Sequence, residues 1–181
     1  GARAAPIAAA GARHRDRQTI LVVDDESGNL GAMRRRLTRH GYHVLQAADG
    51  NQALSLMGEH PVDLVLLDVM MPGMDGYAVL EHMRRRFGSM APPVIMVTGR
   101  NGPQDVVAAI QSGAVDHIGR PFDANVLIAR IQAHLRIAGD RNELRERARS
   151  LESDLEAASH RQRLDRQTGL PDLPALELAL A

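Results

Sequence analysis

Residues 19–26 read TILVVDDE, so a run of five strand-forming residues ends directly in three acidic ones. Three similar runs follow, at residues 62–68 (VDLVLLD), 94–98 (VIMVT) and 117–121 (HIGRP). Nearly continuous apolar runs of this kind are typical of strands buried on both faces of a parallel sheet. The carboxyl ends of such strands share one edge of the sheet, where ligands bind. We therefore expect these polar side chains to converge there: Asp24, Asp25, Asp68, Thr98 and Arg120.

Helical patterns alternate with the strand-like runs from about residue 19 to residue 135. Apolar residues at helical spacing predict helices at residues 29–40, 50–60, 77–87 and 105–111. Residues 42–47 form a short second strand, and Asp123 is expected to cap the fifth helix. The pattern predicts an α/β fold of the flavodoxin-like (βα)5 type. Its doubly wound parallel sheet has the strand order 2-1-3-4-5, and a long extended C-terminal helix follows it.

Composition narrows the possible functions. Of 181 residues, 44% are hydrophobic and 24% charged, as in a globular domain with extensions. The net charge is zero and the basic residues, all arginines, form no single stripe, so no direct nucleic-acid binding is expected. The lack of cysteine excludes disulfides, thiolate metal sites and cysteine nucleophiles, and agrees with a cytoplasmic location. No apolar stretch approaches the roughly 20 residues that span a bilayer, so no membrane partner is expected.

The clustered carboxylates predict a divalent cation. Three of them repel one another unless a positive charge neutralises them, and Mg²⁺ prefers oxygen ligands of this kind. The alternative is that Asp24 and Asp25 only begin a helix while Asp68 only ends a strand. With Mg²⁺ in place, Asp68 can attack phosphorus, the Thr98 hydroxyl can bond a phosphoryl oxygen and Arg120 adds positive charge. A Mg²⁺-dependent hydrolase would need a second acid or base, which these positions lack.

Four motifs in this order resemble the receiver domains of two-component response regulators. They are residues 20–26 (ILVVDDE), residues 68–76 (DVMMPGMDG), Thr98 and residues 120–122 (RPF). The resemblance covers about residues 18–137. It implies that a histidine kinase or phosphotransfer protein donates a phosphoryl group to an aspartate of the domain. Such a domain is regulatory, and its own turnover is limited to self-phosphorylation and slow self-dephosphorylation.

The resemblance also assigns roles at the site. It implies that Asp68 is the phosphoacceptor, and that Asp25, Asp68 and the backbone carbonyl of Met70 bind the cofactor Mg²⁺. Asp24 helps through the water ligands of the ion. Thr98 follows the phosphate and moves the loop after the fourth strand, and the switch residue on the fifth strand falls on His117.

Two positions depart from the family pattern. Arg120 stands where the family has lysine, and its planar fork is not equivalent to an ammonium group. His117 stands where the family has tyrosine or phenylalanine, and it is either a switch or a partly buried histidine with no pH role. The Arg120–Pro121 bond is a candidate cis peptide bond, since only X-Pro pairs adopt cis at low cost.

The C-terminal region predicts a dimer. Residues 137–163 contain no proline and repeat apolar residues every seven positions, with charges at Arg147 and Glu152 spaced to pair across a parallel coiled coil. The expected dimer seam consists of Ile137, Leu144, Ala148, Leu151, Leu155 and Ala158. The alternative is a single solvated helix packed on its own domain.

The last residues resemble the start of an output domain. Residues 164–171 (LDRQTGLP) are similar to the opening of a GGDEF-type diguanylate cyclase domain, although Gln167 and residues 172–174 depart from it. The predicted organisation is a mobile tail (1–17), a receiver domain (18–137), a coiled-coil linker (138–164), and an output-domain start or stub (165–181). Any output enzyme is expected outside this chain.

Two functional hypotheses follow from these patterns. The first is a phosphorylation-driven receiver domain whose fifth helix forms a homodimer and controls a C-terminal effector. The second is a phosphorylation-independent dimerisation or interaction module in which Arg120 stays paired with Asp68.

Overall fold

The computed structural model describes residues 17–99 and 102–168, with side chains described up to residue 157 except those of residues 103 and 105. Its strands are β1 (Thr19–Val23), β2 (His43–Ala47), β3 (Leu64–Asp68), β4 (Val94–Thr98) and β5 (Asp116–Gly119). Its α-helices are α1 (Ser27–Arg39), α2 (Gly50–Glu59), α3 (Gly76–Phe87), α4 (Pro103–Ser112) and α5 (Ala124–Thr168). A short 3₁₀ helix, Gly88–Met90, follows α3.

The five strands form one parallel sheet in the order β2-β1-β3-β4-β5. This confirms the predicted flavodoxin-like fold class and strand order. In the pairing of β1 with β3, Val23 is the register partner of Leu67. An aspartate follows each of these two residues in the sequence. Asp24 and Asp68 therefore lie side by side at the carboxyl edge of the sheet.

The core lies in two layers, one on each face of the sheet, because successive strand residues point to opposite sides. On one face, strand residues such as Leu67 pack with buried residues of α2, α3 and α4. On the other face, residues such as Leu66 pack with buried residues of α1 and α5. Both faces of the sheet are therefore covered, and the near-continuous apolar strands are explained.

Several element boundaries differ from the sequence expectation by one to two residues. Helix α1 begins at Ser27, two residues early, because the extended residue Glu26 accepts the first helical hydrogen bond, from the Leu30 amide (3.1 Å). Helix α4 begins at Pro103, and proline is well tolerated in a first turn, where its missing N–H has no helical partner. Strand β3 begins at Leu64, two residues later than its apolar run, and the Asp63 carboxylate before it accepts the Thr19 amide at 2.7 Å.

Aspartates fix the starts of three helices. The Asp49 and Asp75 carboxylates accept the amides of Gln52 (2.9 Å) and Ala78 (2.8 Å) at the starts of α2 and α3. The predicted cap at Asp123 is confirmed, since its carboxylate accepts the Asn125 amide at 2.7 Å. Such caps satisfy backbone donors that have no partner within the helix.

Helix α5 spans two compact units, which divide between Arg136 and Ile137. In the first unit it buries four apolar residues against the sheet: Leu127, Ile128, Ile131 and Leu135. In the second unit its larger apolar residues are exposed. The helix is described as far as Thr168. Most of the predicted tail and residues 169–181 lie outside the described residues.

No helix in the described part of the chain is both long and apolar enough to span a membrane.

An ion-pair cluster joins β5 to α5. The Asp116 carboxylate accepts hydrogen bonds from Arg130 (2.6 Å) and from the His117 amide (2.8 Å), and its other oxygen lies 3.2 Å from His134 Nε2. Burial by itself raises the pKa of Asp116, but the hydrogen bonds from Arg130, His117 and His134 outweigh it, so the pKa is lowered.

This lowered pKa gives a testable pH dependence. A carboxylate with a lower pKa in the folded state stabilises the fold above its unfolded pKa of about 3.9, and this contribution disappears as the pH falls through the folded value. We expect Asp116→Asn to reduce the free energy of unfolding by about 1 kcal/mol at neutral pH, since Arg130 is partly exposed to solvent. Urea unfolding should show this difference closing below about pH 4. A difference that stays constant into acid would contradict the assignment.

Candidate functional site

The carboxyl edge of the sheet brings three aspartates together. Asp24 follows β1 and donates its amide to the Ala47 carbonyl of β2 (3.1 Å), while Asp68 is the last residue of β3. Both are buried, at 2% and 5% exposure, whereas Asp25 is exposed. One carboxylate oxygen from each of the three lies within 4.8 Å of the others. The structure therefore places Asp24, Asp25 and Asp68 in one cluster.

Neighbouring donors orient the two buried carboxylates. Asp24 Oδ1 accepts the Glu26 amide at 2.9 Å and the Asn29 side-chain amide at 3.0 Å. Asp68 Oδ1 accepts the Met70 amide at 3.3 Å. The first turn of α1 and the loop after β3 thus hold one oxygen of each aspartate, which leaves the second oxygen of each for other partners.

Arg120 takes the second oxygen of both aspartates. Its Nη2 donates to Asp24 Oδ2, and its Nη1 donates to Asp68 Oδ2 at 3.2 Å. Its backbone amide donates to the Thr98 carbonyl at 2.7 Å, which ties the residue to the end of β4. The Arg120–Pro121 peptide bond is cis. One guanidinium therefore bridges carboxylates that come from two neighbouring strands.

The electrostatics of the cluster are dominated by burial and by this bridge. The pKa of Asp68 is raised, first by burial and also by the charge of Asp24, although Arg120 and the Met70 amide act in the opposite direction. Burial alone lowers the pKa of Arg120, but attraction to Asp24 and Asp68 outweighs it, so the guanidinium is held more firmly charged. Three carboxylates against one guanidinium leave excess negative charge, which favours a further cation.

The other expected site residues lie on β4 and β5. Thr98 ends β4 and is 1% exposed. Its backbone carbonyl accepts the hydrogen bond from the Arg120 amide. His117 lies in β5 beside Met96 and is buried more deeply than expected. Its Nε2 has no hydrogen-bond partner among the described residues. His117 does not belong to the cluster of possible metal ligands formed by Asp24, Asp25 and Asp68.

Two residues of the site were not singled out from the sequence. Asn29, in the first turn of α1, donates to Asp24 Oδ1 and so orients this carboxylate. Gly76 begins α3 so close to β3 that a Cβ atom there would lie 2.3 Å from the Asp68 carbonyl oxygen. The Asp75-Gly76 pair was a usable signal, because glycine is favoured where two backbone segments approach closely.

Comparison with known proteins identifies the family. The model of the family described as "Response regulator receiver domain" matches residues 20–132. The chain belongs to this family. The receiver domain thus contains both strands that supply the aspartates and the strand that ends at Thr98.

Individual relatives agree with this result. Response regulator GtcR of Aneurinibacillus migulanus is 37% identical over 136 residues, which cover 75% of this chain and 55% of the relative. Transcriptional regulatory protein AfsQ1 of Streptomyces coelicolor is 41% identical over 118 residues, covering 65% and 51%. The chemotaxis protein CheY4 of Vibrio cholerae shares 27% identity and a TM-score of 0.61, covering 65% of this chain and 98% of that structure. The chain spans about half the length of the two curated relatives.

The cluster of this receiver domain is chemically suited to Mg²⁺. All three clustered side chains present oxygen, the ligand atom that Mg²⁺ prefers. Their excess negative charge is the kind of environment in which a divalent cation is stabilised. The Met70 carbonyl remains a predicted ligand, while its amide contacts Asp68 and its side chain is exposed.

Proposed function

We propose that this receiver domain accepts a phosphoryl group on Asp68 in a Mg²⁺-dependent reaction, with a histidine kinase or phosphotransfer protein as the donor. The observation that carries the proposal is the clustering of the Asp24, Asp25 and Asp68 carboxylates within 4.8 Å of one another at the sheet edge. Family membership supports the same type of partner.

The chain's own residues have distinct roles in this proposal. Asp25, Asp68 and the Met70 carbonyl would hold Mg²⁺, and Asp24 would help through the water molecules bound to the ion. When bound, Mg²⁺ supplies positive charge that offsets the carboxylates and the phosphoryl oxygens. Arg120 adds a second positive charge, and the buried Thr98 hydroxyl donates to a phosphoryl oxygen.

The transfer itself is a displacement at phosphorus. A carboxylate oxygen of Asp68 forms the new oxygen–phosphorus bond as the phosphorus–nitrogen bond of the donor phosphohistidine breaks. The electron pair of the broken bond stays on the donor imidazole. The phosphoryl group then lies near the ends of β3 and β4. The Thr98 side chain moves toward it, and the switch residue His117 on β5 changes its position in turn. This response is the switching step of the proposal.

Incubation with Mg²⁺ and acetyl phosphate, followed by intact mass spectrometry, tests the proposal. Wild type should gain the mass of one phosphoryl group with Mg²⁺ and none when a chelator replaces the metal. No adduct under either condition, or an equal adduct under both, would overturn Mg²⁺-dependent phosphoryl transfer.

The second unit supports a homodimer through α5. Four seam residues, Ile137, Leu144, Leu151 and Leu155, are between 58% and 70% exposed although they are apolar and recur at heptad spacing. A second copy of the helix in parallel would bury them. Arg147 pairs with Glu143 of its own helix at 2.5 Å, one turn earlier, so its pairing across the dimer to Glu152 stays a prediction. The Ala158 side chain lies outside the described residues.

A single charge in the seam should weaken this dimer. We expect Leu151→Asp to raise the dimer dissociation constant about tenfold or more, because two carboxylates would be buried against each other in an apolar seam. Analytical ultracentrifugation measures the change. Ser153→Asp places the same charge on the opposite face of the heptad and serves as the control. Equal effects of the two substitutions, or a monomeric wild type, would contradict the seam.

The dimer would pass the signal onward. Helix α5 continues to Thr168, within residues 164–171, the segment that resembles the start of a GGDEF-type domain. We place a C-terminal effector after this helix, with a diguanylate cyclase as the candidate. In this proposal, phosphorylation at Asp68 changes the helix pair and the helix pair controls the effector.

One observation favours a second function, a phosphorylation-independent interaction module. Arg120 already pairs with both buried aspartates through its two contacts. A module of this type would use α5 for constitutive dimerisation and would have no need for a metal. Calorimetric titration with Mg²⁺ separates the two functions, since only the phosphoacceptor domain should bind the ion at the acidic cluster.

A further inference from the structure

Every carboxylate oxygen of the two buried aspartates already accepts a hydrogen bond. The Oδ1 atoms of Asp24 and Asp68 are held by backbone amides and by Asn29. The Oδ2 atoms of the same two residues are both held by Arg120. The side chain of Arg120 thus contacts one oxygen of each buried carboxylate.

Arginine makes this double contact possible. Its planar guanidinium presents donors in a fixed fork, so one side chain can reach Asp24 and Asp68 at the same time. A lysine in the same place would offer one compact ammonium group on a flexible stem. The two side chains therefore differ in how strongly they occupy the pair of carboxylates, even though they carry the same charge.

A divalent cation at this site would compete with Arg120 for the negative charge of Asp24 and Asp68. A metal ligated by Asp68 would share that carboxylate with Arg120, whose Nη1 lies 3.2 Å from Asp68 Oδ2. Two cations that share one carboxylate would repel strongly in a site shielded from water. The Arg120 side chain is only 28% exposed, so solvent screens this repulsion incompletely. Metal binding is then opposed unless at least one of the two contacts opens.

We infer that Arg120 is a built-in competitor of Mg²⁺, and that metal binding in this domain is an exchange in which the Arg120 fork is displaced from Asp68. This inference deepens the proposed function and rests on its Mg²⁺ site. The coupling between the two cations is reciprocal by thermodynamic necessity. Mg²⁺ binding therefore weakens the contact of Arg120 with the carboxylates by the same free energy by which that contact weakens Mg²⁺ binding. Arg120 would thereby set the Mg²⁺ concentration at which the domain becomes competent for phosphorylation.

Calorimetric Mg²⁺ titration of the whole chain compares wild type, Arg120→Lys and Arg120→Met. Removing the positive charge beside the site should tighten Mg²⁺ binding about tenfold or more, and Arg120→Lys should lie between wild type and Arg120→Met. Arg130→Met is the matched control, because Arg130 pairs with Asp116 instead of the cluster and should leave the dissociation constant unchanged. Circular dichroism of each variant verifies folding.

A second readout on unaltered protein avoids the risk that a variant misfolds. In ¹⁵N NMR of wild type, the Arg120 side-chain N–H signals should shift as Mg²⁺ saturates the site, while those of Arg130 stay in place. The signals are assigned by their disappearance in Arg120→Lys and in Arg130→Met.

The outcomes separate this inference from the proposed function. Equal Mg²⁺ dissociation constants for wild type, Arg120→Lys and Arg120→Met would overturn the exchange while the metal site stands. Unmoved Arg120 signals at saturating Mg²⁺ would also overturn it. If none of the proteins binds Mg²⁺, both the inference and the proposed function fail.

Discussion

Asp68→Asn should abolish the phosphoryl adduct that forms on wild type with Mg²⁺ and acetyl phosphate. The amide has no ionised oxygen with which to attack phosphorus, and it removes one charge from the ligand set. Asparagine has nearly the same shape as aspartate, so we expect the fold to stay in place although the residue is buried at the end of β3. Intact mass should therefore show a complete loss of adduct.

The matched control is Asp49→Asn. Asp49 follows β2 near the same sheet edge but caps α2 through the Gln52 amide, a role that asparagine also performs. This variant should accept phosphate like wild type. An undiminished adduct on Asp68→Asn, or an equal loss in both variants, would contradict the assignment of Asp68.

The second large effect is expected at the metal site. The double substitution Asp24→Asn and Asp25→Asn removes two of the three negative charges of the cluster while keeping similar side-chain volumes. We expect Mg²⁺ affinity to fall by at least about 100-fold, because hard divalent cations depend on ligand charge. Calorimetric titration measures the loss, and the rate of phosphorylation by acetyl phosphate should fall with it.

Glu26→Gln is the control for that experiment. Glu26 is the next acidic residue in the chain, but its side chain is exposed and contacts Asn29 instead of belonging to the cluster. Its Mg²⁺ affinity should stay within a few-fold of wild type. A double variant that binds Mg²⁺ as tightly as wild type would show that Asp24 and Asp25 do not hold the metal.

The fold was predictable because the strands are buried on both sides. Two covered faces require runs such as residues 19–23 and 64–67 to be almost wholly apolar, and this pattern distinguishes a parallel sheet from a half-exposed one. The ends of helices were less predictable. They depend on local contacts, such as the one between Glu26 and the start of α1, which hydrophobic spacing does not encode.

The sequence predicted which residues form the site, but it did not predict which of them contact one another. The positions of Asp24 and Asp68 follow from strand order, since β1 and β3 are neighbours and both end there. The direction of the Arg120 fork does not follow from strand order. It depends on side-chain rotamers and on the attachment of its backbone to Thr98. The sequence therefore indicated the charge at this position but not its bridge between two carboxylates.

His117 shows a similar limit. The resemblance to the family implied a switch residue at this position, and the alternative was a partly buried histidine with no pH role. The structure buries it in β5 with its Nε2 lacking a hydrogen-bond partner among the described residues. A buried donor or acceptor without a partner costs about 1–3 kcal/mol. Whether a polar side chain finds a partner depends on packing around β5, which no local sequence pattern specifies.

Reductive trapping with borohydride tests the central claim most directly. The reagent converts an aspartyl phosphate into homoserine, so peptide mapping after treatment with acetyl phosphate reveals the modified residue. With Mg²⁺ present, homoserine should be found at position 68, and a chelator should prevent its formation. Homoserine at another aspartate, or at position 68 in equal amount without metal, would contradict the claim that the acidic cluster uses Mg²⁺ to make Asp68 the phosphoacceptor.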